Sequence, residues 1–571
     1  MYCPTDNIEL ELKNRGYKYI IGVDEVGRGC ENPDAEILTN NGWKYYTDID
    51  VLTDMVLSYT PEGYIEWQSI ESIYEKDFVG DLVDLSNRSV HISVTPDHYF
   101  DVLRRTFVRD RLDNNKLKMT GYIFNNRKSV EDLVDNDYIP RGGKWIGKNT
   151  DMFILSYINK LKNDYSEKDF LDKQIPMDIW VSFIGIYLAE GSYVYDESLY
   201  RYATVVSQSK TASPKNFAKI KDLLDMLPFT FNSYGSGFVC YDKQLSFYMS
   251  QFGNKYTKFI PAYLKNLSGK YLNLLIDWMI IGDGTAYTGK NKQESRVYYT
   301  ASTKLKDDFE EILLKAGWTY KTAFREPRDA YIKDRLLKKE NQVGCFETRL
   351  RRNNKISCKH LYKKYVPYSG KVFCLSLSKY HNFYVRRSGS GYFTGNSLMG
   401  PVVAAAVCIP EGFYTTGIND SKKLSSKQRE LIYNKIIEGC VYSVSFVDEK
   451  IIDTINIREA TKLAMRNCIN DIHAADYALV DGNFIPELIH IPAQPVVGGD
   501  ALSLSIAAAS IVAKVTRDGW VKAAAEKFPV YGWEKNKGYG TKDHMASIRL
   551  YGPCVFHRKS FGGVKEHIWK N

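Results

Sequence analysis

At 571 residues the chain exceeds what one hydrophobic core holds, because domains run to roughly 100–200 residues, so about three or four are expected. Apolar residues at 44% and charged residues at 25% exclude a disordered or fibrous chain, and no uncharged apolar run nears the roughly 18–20 residues that span a bilayer. The net charge of +9 permits a polyanionic partner without naming one.

The opening, MYCPTDNIELELKNRG, is polar and acidic, and no signal peptide is expected there. Ten scattered cysteines with no C-x-x-C argue against a structural zinc site or a disulfide framework. They suggest a reducing cytoplasm. YIIGVDE then reads as a short buried strand. Between Cys30 and about Pro140 the text turns to short alternating segments such as GDLVDLSNRSVHISV, broken by turn signals, which predicts an all-β unit.

From about Trp180 helical periodicity returns, and with it a repeat. FIGIYLAEG ends at Gly191 and IDWMIIGDG ends at Gly284, 93 residues further on. Each is an apolar helix closed by an acid and a glycine. Each is followed by a serine in a strand-like run (Ser207, Ser302) and then by a helix-like stretch, NFAKIKDLLDML or KLKDDFEEILLKAG. A duplication of that size predicts two similar halves about a pseudo-two-fold axis. From about Lys364 the short β segments resume. After position 400 the strands PVVAAAVCIP, CVYSVSFVD and DYALVDG alternate with the helices IREATKLAMRNCINDI and LSLSIAAASIVAKVTRDGWVKAAAEKF, an α/β layer pattern. The expected architecture is α/β, interrupted by β, itself interrupted by a duplicated α/β unit.

Residues 1–29 and 397–571 together have single-domain size. Adjacent Asp24 and Glu25 at a strand end place like charges together, which is costly without a cation. Asp481 ends another strand, and Asp500 precedes the Ala-rich helix. Converging strand-end carboxylates suit Mg²⁺ or Mn²⁺ and two-metal phosphodiester hydrolysis, although isolated Asp-Glu pairs also occur as plain turn or surface residues. GVDEVGRG, DSKKLS, LVDGN, SIAAASIVAKVTRD and KGYGTKDH, in this order, resemble type 2 ribonuclease H (RNase HII).

That resemblance implies an RNase H-like fold and endonucleolytic cleavage of the RNA strand in RNA–DNA hybrids, including 5′ to a single embedded ribonucleotide. It makes Asp24, Glu25, Asp481 and Asp500 the metal-binding catalytic carboxylates. Gly27, Arg28 and Gly29 match the loop that approaches the ribose 2′-OH, and Tyr539 matches the tyrosine beside the ribonucleotide junction. Lys422 and Lys423 are candidate phosphate contacts. Asp518, four residues after Lys514, reads instead as an ordinary helix ion pair. Where the family usually has Lys-Gly-Asp, this chain has Gly498-Gly499-Asp500, so one phosphate contact is missing.

The insert begins with Cys30 and ends with Asn396 before Ser397. Cys30 can attack the Gly29 carbonyl to form a thioester, Ser397 can take over the acyl group, and Asn396 can cyclise and release the insert. CENPDAEILTNNG, VTPDH and FYVRRSGSGYFTGN-S resemble the splicing blocks of inteins, which implies the all-β Hint fold. By that resemblance Thr95 and His98 polarise the first scissile amide, and His381 assists the later steps. Cys374 stands where the block often has aspartate. Gly395 stands where most inteins have histidine, so slower cyclisation of Asn396 is expected.

The duplicated segment resembles the LAGLIDADG homing endonucleases, which implies saddle-shaped sheets in the major groove of double-stranded DNA. Packed together, the two helices would bring Glu190 and Asp283 to one end, where they could share divalent metals. Lys258 in KFIP matches a further block as an active-site or DNA-contacting lysine. Gly185 and Ala189 allow close helix contact, whereas Trp278 predicts a looser or rearranged one. The expected boundaries are 1–29 and 397–571 for the ribonuclease, 30–144 and 341–396 for the Hint unit, and 145–340 for the endonuclease. The expected chain is cytoplasmic with no membrane partner, and its ribonuclease is monomeric. The alternative is a non-splicing fusion whose insert is an inactive DNA-binding appendage.

Overall fold

A computed structural model describes residues 4–26, 30–60, 62–96, 98–110, 116–130, 133–156, 172–196, 201–288, 294–332, 335–377, 380, 382–395, 400–419, 421, 424–536, 538, 542–561 and 564–568. The outer pieces form one five-stranded sheet in the order Val441–Val447, Val402–Cys408, Ile20–Val26, Tyr477–Asp481, Ala493–Val496. The first three strands are antiparallel neighbours, and the last three run parallel. Val402–Cys408 is buried along its length because helices cover both faces of the sheet. Val402, Ala404 and Ala406 face the helix Glu449–Asp471, and Ala405 and Val407 face the Ala-rich helix Leu504–Lys527. Small side chains bring that second helix close. At Gly22 a Cβ would lie 2.1 Å from the Ile506 amide nitrogen, so only glycine fits. The helix starts at Ser503, whose hydroxyl accepts the Ile506 N–H.

The two strands that flank the insertion are hairpin partners, with Ile21 opposite Cys408 and Val26 opposite Val403. The insert therefore leaves and re-enters the outer sheet at one place. Its ends meet.

The first insert unit is all-β. Its two pieces interleave in one sheet, where Glu36–Thr39 pairs with Asn382–Arg387 and Gly395 bridges to Tyr99. Ile37, Val56, Val83, Phe100, Phe373 and Val385 form its core. Two long strands, Tyr64–Asn87 and Tyr362–Leu377, run antiparallel as an extended ribbon.

The second insert unit is duplicated as the repeat predicts. The helices Met177–Glu190 and Gly269–Asp283 each lead into a four-stranded sheet. One sheet runs 191–196, 201–207, 237–240, 231–234, and the other runs 284–288, 294–300, 345–351, 319–325. The order is the same in both. Strand Cys345–Arg351 thus belongs to the duplicated unit, so the expected boundary after residue 340 falls one strand early. Likewise Lys144–Trp145 pairs with Tyr64–Ile65 and extends the all-β unit slightly past 144. Among the described residues no helix is long and apolar enough to cross a membrane.

Candidate active sites

In the duplicated unit the two apolar helices pack side by side. A Cβ on Gly185 would lie 2.7 Å from the Trp278 Cβ, and one on Gly282 would lie 2.4 Å from the Ala189 Cβ. The contact is not loosened by Trp278, contrary to expectation. Glycine opposite its Cβ makes the room, and the indole lies under the Lys219 ammonium at 5.0 Å. Both acids fall at the same end of the pair, where a Cβ on Gly282 would lie 3.0 Å from the Glu190 Cγ. Burial pushes the Asp283 carboxyl up to about 7, helped by the Glu190 charge and opposed by Lys258. Glu190 is also raised by burial, with Lys258 opposing.

Lys258 stands beside the two acids and lines the same cavity as Asp283, with its side chain largely buried. It is 5% exposed, and its ammonium donates to the carbonyls of Tyr187 (3.0 Å), Leu188 (2.9 Å) and Gly191 (2.7 Å). It closes the C-terminal end of the first helix, where unpaired carbonyls favour a cation. Burial pulls it down to about 8 against the attraction of Asp283 and Glu190.

At the insert's beginning, Cys30 is fully buried. Its amide nitrogen donates to the Thr95 hydroxyl at 2.8 Å, and the Thr95 amide donates back to the Cys30 carbonyl at 3.0 Å. His98 follows in the same turn, with its amide donating to the Thr95 carbonyl at 2.9 Å. The ring of His98 meets Thr394, one residue before Gly395, so the turn that holds Cys30 through Thr95 also touches the strand leading toward the insert's other end. Glu31 escaped the sequence reading. It is fully buried and accepts hydrogen bonds from the Tyr392 hydroxyl (2.7 Å) and the Thr394 hydroxyl (2.9 Å). No sequence signal marks it, because its partners lie more than 300 residues away. Cys374 packs with Cys30 in one apolar cluster beside Phe78 and Val372.

In the outer sheet, parallel pairing sets Val23 opposite Val480, so Asp24 and Asp481 follow side by side at the strand ends. Ligating oxygens of Asp24, Glu25 and Asp481 lie within 4.8 Å of one another. Asp24 is 3% exposed, and its Oδ1 accepts the Glu25 amide at 2.7 Å. Asp481 Oδ1 accepts the Gly499 amide at 2.7 Å. Three buried or half-buried carboxylates in one place suit a hard divalent cation, whose charge offsets their repulsion. Asp500, the fourth expected ligand, stands outside this trio. It is buried in the short helix Gly499–Leu502, whose first amide holds Asp481. Asp518 pairs with Lys514 at 3.0 Å, as expected. Gly27, Arg28, Gly29, His381, Asn396, Ser397, Lys422, Lys423 and Tyr539 lie outside the described residues.

The family model for ribonuclease HII matches residues 394–564. The ribonuclease HII of Bacillus cytotoxicus is 45% identical over 202 residues, covering 34% of this chain and 77% of that protein. That of Bacillus cereus is 44% identical over 204 residues, covering 34% and 78%. The chain belongs to the ribonuclease HII family. Partial likeness to solved structures includes the ribonuclease H2 of Pyrococcus horikoshii, at 23% identity and a TM-score of 0.27, covering 30% of this chain and 91% of that one. It also includes the homing endonuclease I-DmoI, at 10% identity and a TM-score of 0.20, covering 31% and 89%.

The insert's ribbon packs against Gly498, next to the residue whose amide holds Asp481. Gly498 is left-handed at φ +67°, and a Cβ there would lie 2.3 Å from the Val79 carbonyl oxygen. Beside it, Asn483 donates to Asp77 at 2.6 Å, and Lys565 pairs with Glu71 at 2.6 Å. These contacts join residues 71–79 of the insert to Asn483 and Gly498, both after Asp481 in the chain, and to the C-terminal segment.

Proposed function

We propose that the chain is a self-splicing precursor whose ribonuclease HII part, once joined, cuts the RNA strand of RNA–DNA hybrids, including 5′ to single embedded ribonucleotides. The observation that carries the nuclease is the convergence of Asp24, Glu25 and Asp481 in a family member. A Mg²⁺ or Mn²⁺ ion bound there would supply an activated water and charge stabilisation. Asp24, Glu25 and Asp481 would hold it, with Asp500 completing the set from the short helix. The backbone amides of Glu25 and Gly499 orient the carboxyl groups of Asp24 and Asp481. Gly27, Arg28, Gly29 and Tyr539 would read the ribonucleotide, and Lys422 and Lys423 would hold phosphates.

The splicing reading is supported by the Cys30–Thr95–His98 arrangement and by the contact of His98 with Thr394 near the insert's other end. The Cys30 sulfur attacks the Gly29 carbonyl, the Gly29–Cys30 bond breaks, and the thiol proton passes to the new amine. The Ser397 oxygen then takes the acyl group and releases the thiol. The Asn396 side-chain nitrogen closes on its own carbonyl, breaks the bond to Ser397 and frees the insert, with His381 assisting. The ester then rearranges to an amide. Glu190 and Asp283, as a metal-sharing pair between two helices, support a site-specific double-stranded DNA endonuclease in the excised insert. A denaturing gel of the expressed chain tests the splicing. The 65.5 kDa chain should divide into a host of about 23 kDa and an insert of about 42 kDa, and a single full-length band would sink this reading.

A further inference from the structure

Glu31 is a carboxylate with no exposure, one residue inside the proposed splice junction. Its backbone is fixed by pairing with Phe373, whose carbonyl accepts the Glu31 amide at 2.8 Å and whose amide returns a bond at 3.0 Å. Its side chain crosses to the strand Ser390–Gly395, which leads to the other junction, and meets two hydroxyls there. One of them, Thr394, also touches His98 Nε2. A hydroxyl has a single hydrogen to donate. If Glu31 is ionised it can only accept, so the Thr394 hydrogen points to it and His98 Nε2 must carry a hydrogen. The neutral imidazole then has Nδ1 unprotonated. If Glu31 is protonated on Oε2, it donates to Thr394, the Thr394 hydrogen turns to Nε2, and the ring hydrogen moves to Nδ1.

We propose that Glu31 is a positioning residue for splicing, which sets the tautomer of His98 through the Thr394 hydroxyl. The inference rests on the splicing reading. The first step carries one proton from the Cys30 thiol to the departing amine. An imidazole with Nδ1 unprotonated is the form that can take up that proton at Nδ1. The groups that bear on Glu31 are Tyr392, Thr394, Arg387, Asp34 and, through Thr394, His98. Burial pushes its carboxyl up to about 7, against the two hydroxyl bonds and the Arg387 charge and with the Asp34 charge. The relay therefore changes state near neutral pH, and the first step speeds up as pH rises through it.

The test uses the full chain with Asn396→Ala and Ser397→Ala, which stops the reaction after the thioester, and reads thiol-induced cleavage at Gly29–Cys30 on either side of neutral pH. Glu31→Gln places a permanent donor against Thr394 and should act as the low-pH form: about tenfold slower above neutral pH, with the inflection gone. Thr394→Val should match it, Thr394→Ser should restore rate and inflection, and the double variant should be no slower than either single one. Unchanged rate and pH profile in Glu31→Gln overturn the inference while the splicing reading stands. If Glu31→Gln does not fold, equal profiles for Thr394→Val and Thr394→Ser overturn it instead. Absence of Cys30-dependent cleavage in the parent chain overturns the splicing reading and this inference together.

Discussion

The carbonyl oxygen of Val79, in the insert, occupies the space in which a side chain on Gly498 of the ribonuclease would begin, 2.3 Å from where a Cβ would stand. Gly499, the next residue, holds Asp481 by its amide. The ribbon thus presses on the loop whose amide orients Asp481. The glycine that replaces the family's usual lysine is the residue this contact requires.

The unspliced chain should therefore be a poor nuclease. A Cys30→Ala, Asn396→Ala precursor should cleave a hybrid duplex at least about a hundredfold more slowly than the spliced host, because a hundredfold is only about 2.7 kcal/mol of lost transition-state access. Robust cleavage by the blocked precursor in a gel assay would contradict it. Gly498→Lys should cost the spliced host about 1–2 kcal/mol, because a side chain is strained at φ +67°. It should cost the precursor about 1–3 kcal/mol more through overpacking against Val79, read as the larger fall in melting temperature.

Asp24→Asn and Asp481→Asn should each reduce hybrid cleavage by the spliced host a hundredfold or more, roughly the effect of losing one electrostatic group at a reacting phosphate. Chelation of divalent cations should abolish the activity in the parent. Asp518→Asn should change the rate little, because Asp518 serves its helix pair with Lys514. Equal losses at 24, 481 and 518 would point to a general structural effect.

Thr95→Ala removes the hydroxyl that accepts the Cys30 amide at 2.8 Å. The first splicing step should slow by about tenfold, the worth of one buried hydrogen bond, and full-length chain should accumulate on a time-course gel. Thr95→Ser keeps the acceptor and should restore most of the rate.

The helix pair should show its own pH dependence. The folded Asp283 carboxyl titrates at about 7 and the unfolded one near its ordinary value of 3.8, so between these the folded chain binds more protons. Its stability contribution is present below the unfolded value and is lost as pH rises through about 7. The excised insert should lose stability on the order of 4 kcal/mol across that window, and Asp283→Asn should flatten the curve of melting temperature against pH. An identical slope in that variant would refute the assignment.

Much of the architecture was legible along the chain. Apolar periodicity and the 93-residue repeat are local properties, and the duplicated unit has two four-stranded sheets of the same order, each following one of the repeated helices. Asp24, Glu25 and Asp481 could be picked out because strand-end acids stand out against buried runs. The limits of the all-β unit were misplaced by a strand at Cys345–Arg351, since its alternating text fits either sheet and only pairing partners decide which.

Other features depend on groups hundreds of residues apart in the chain. That Lys258 closes a helix end, that Glu31 reaches His98 through Thr394, and that Val79 covers Gly498 are all consequences of packing. Residue type and local order prescribe strands, helices and the stock of reactive groups, because those follow from short-range sterics and burial patterns. Which carboxylate meets which hydroxyl, and which backbone closes over which glycine, was settled only when separate cores docked.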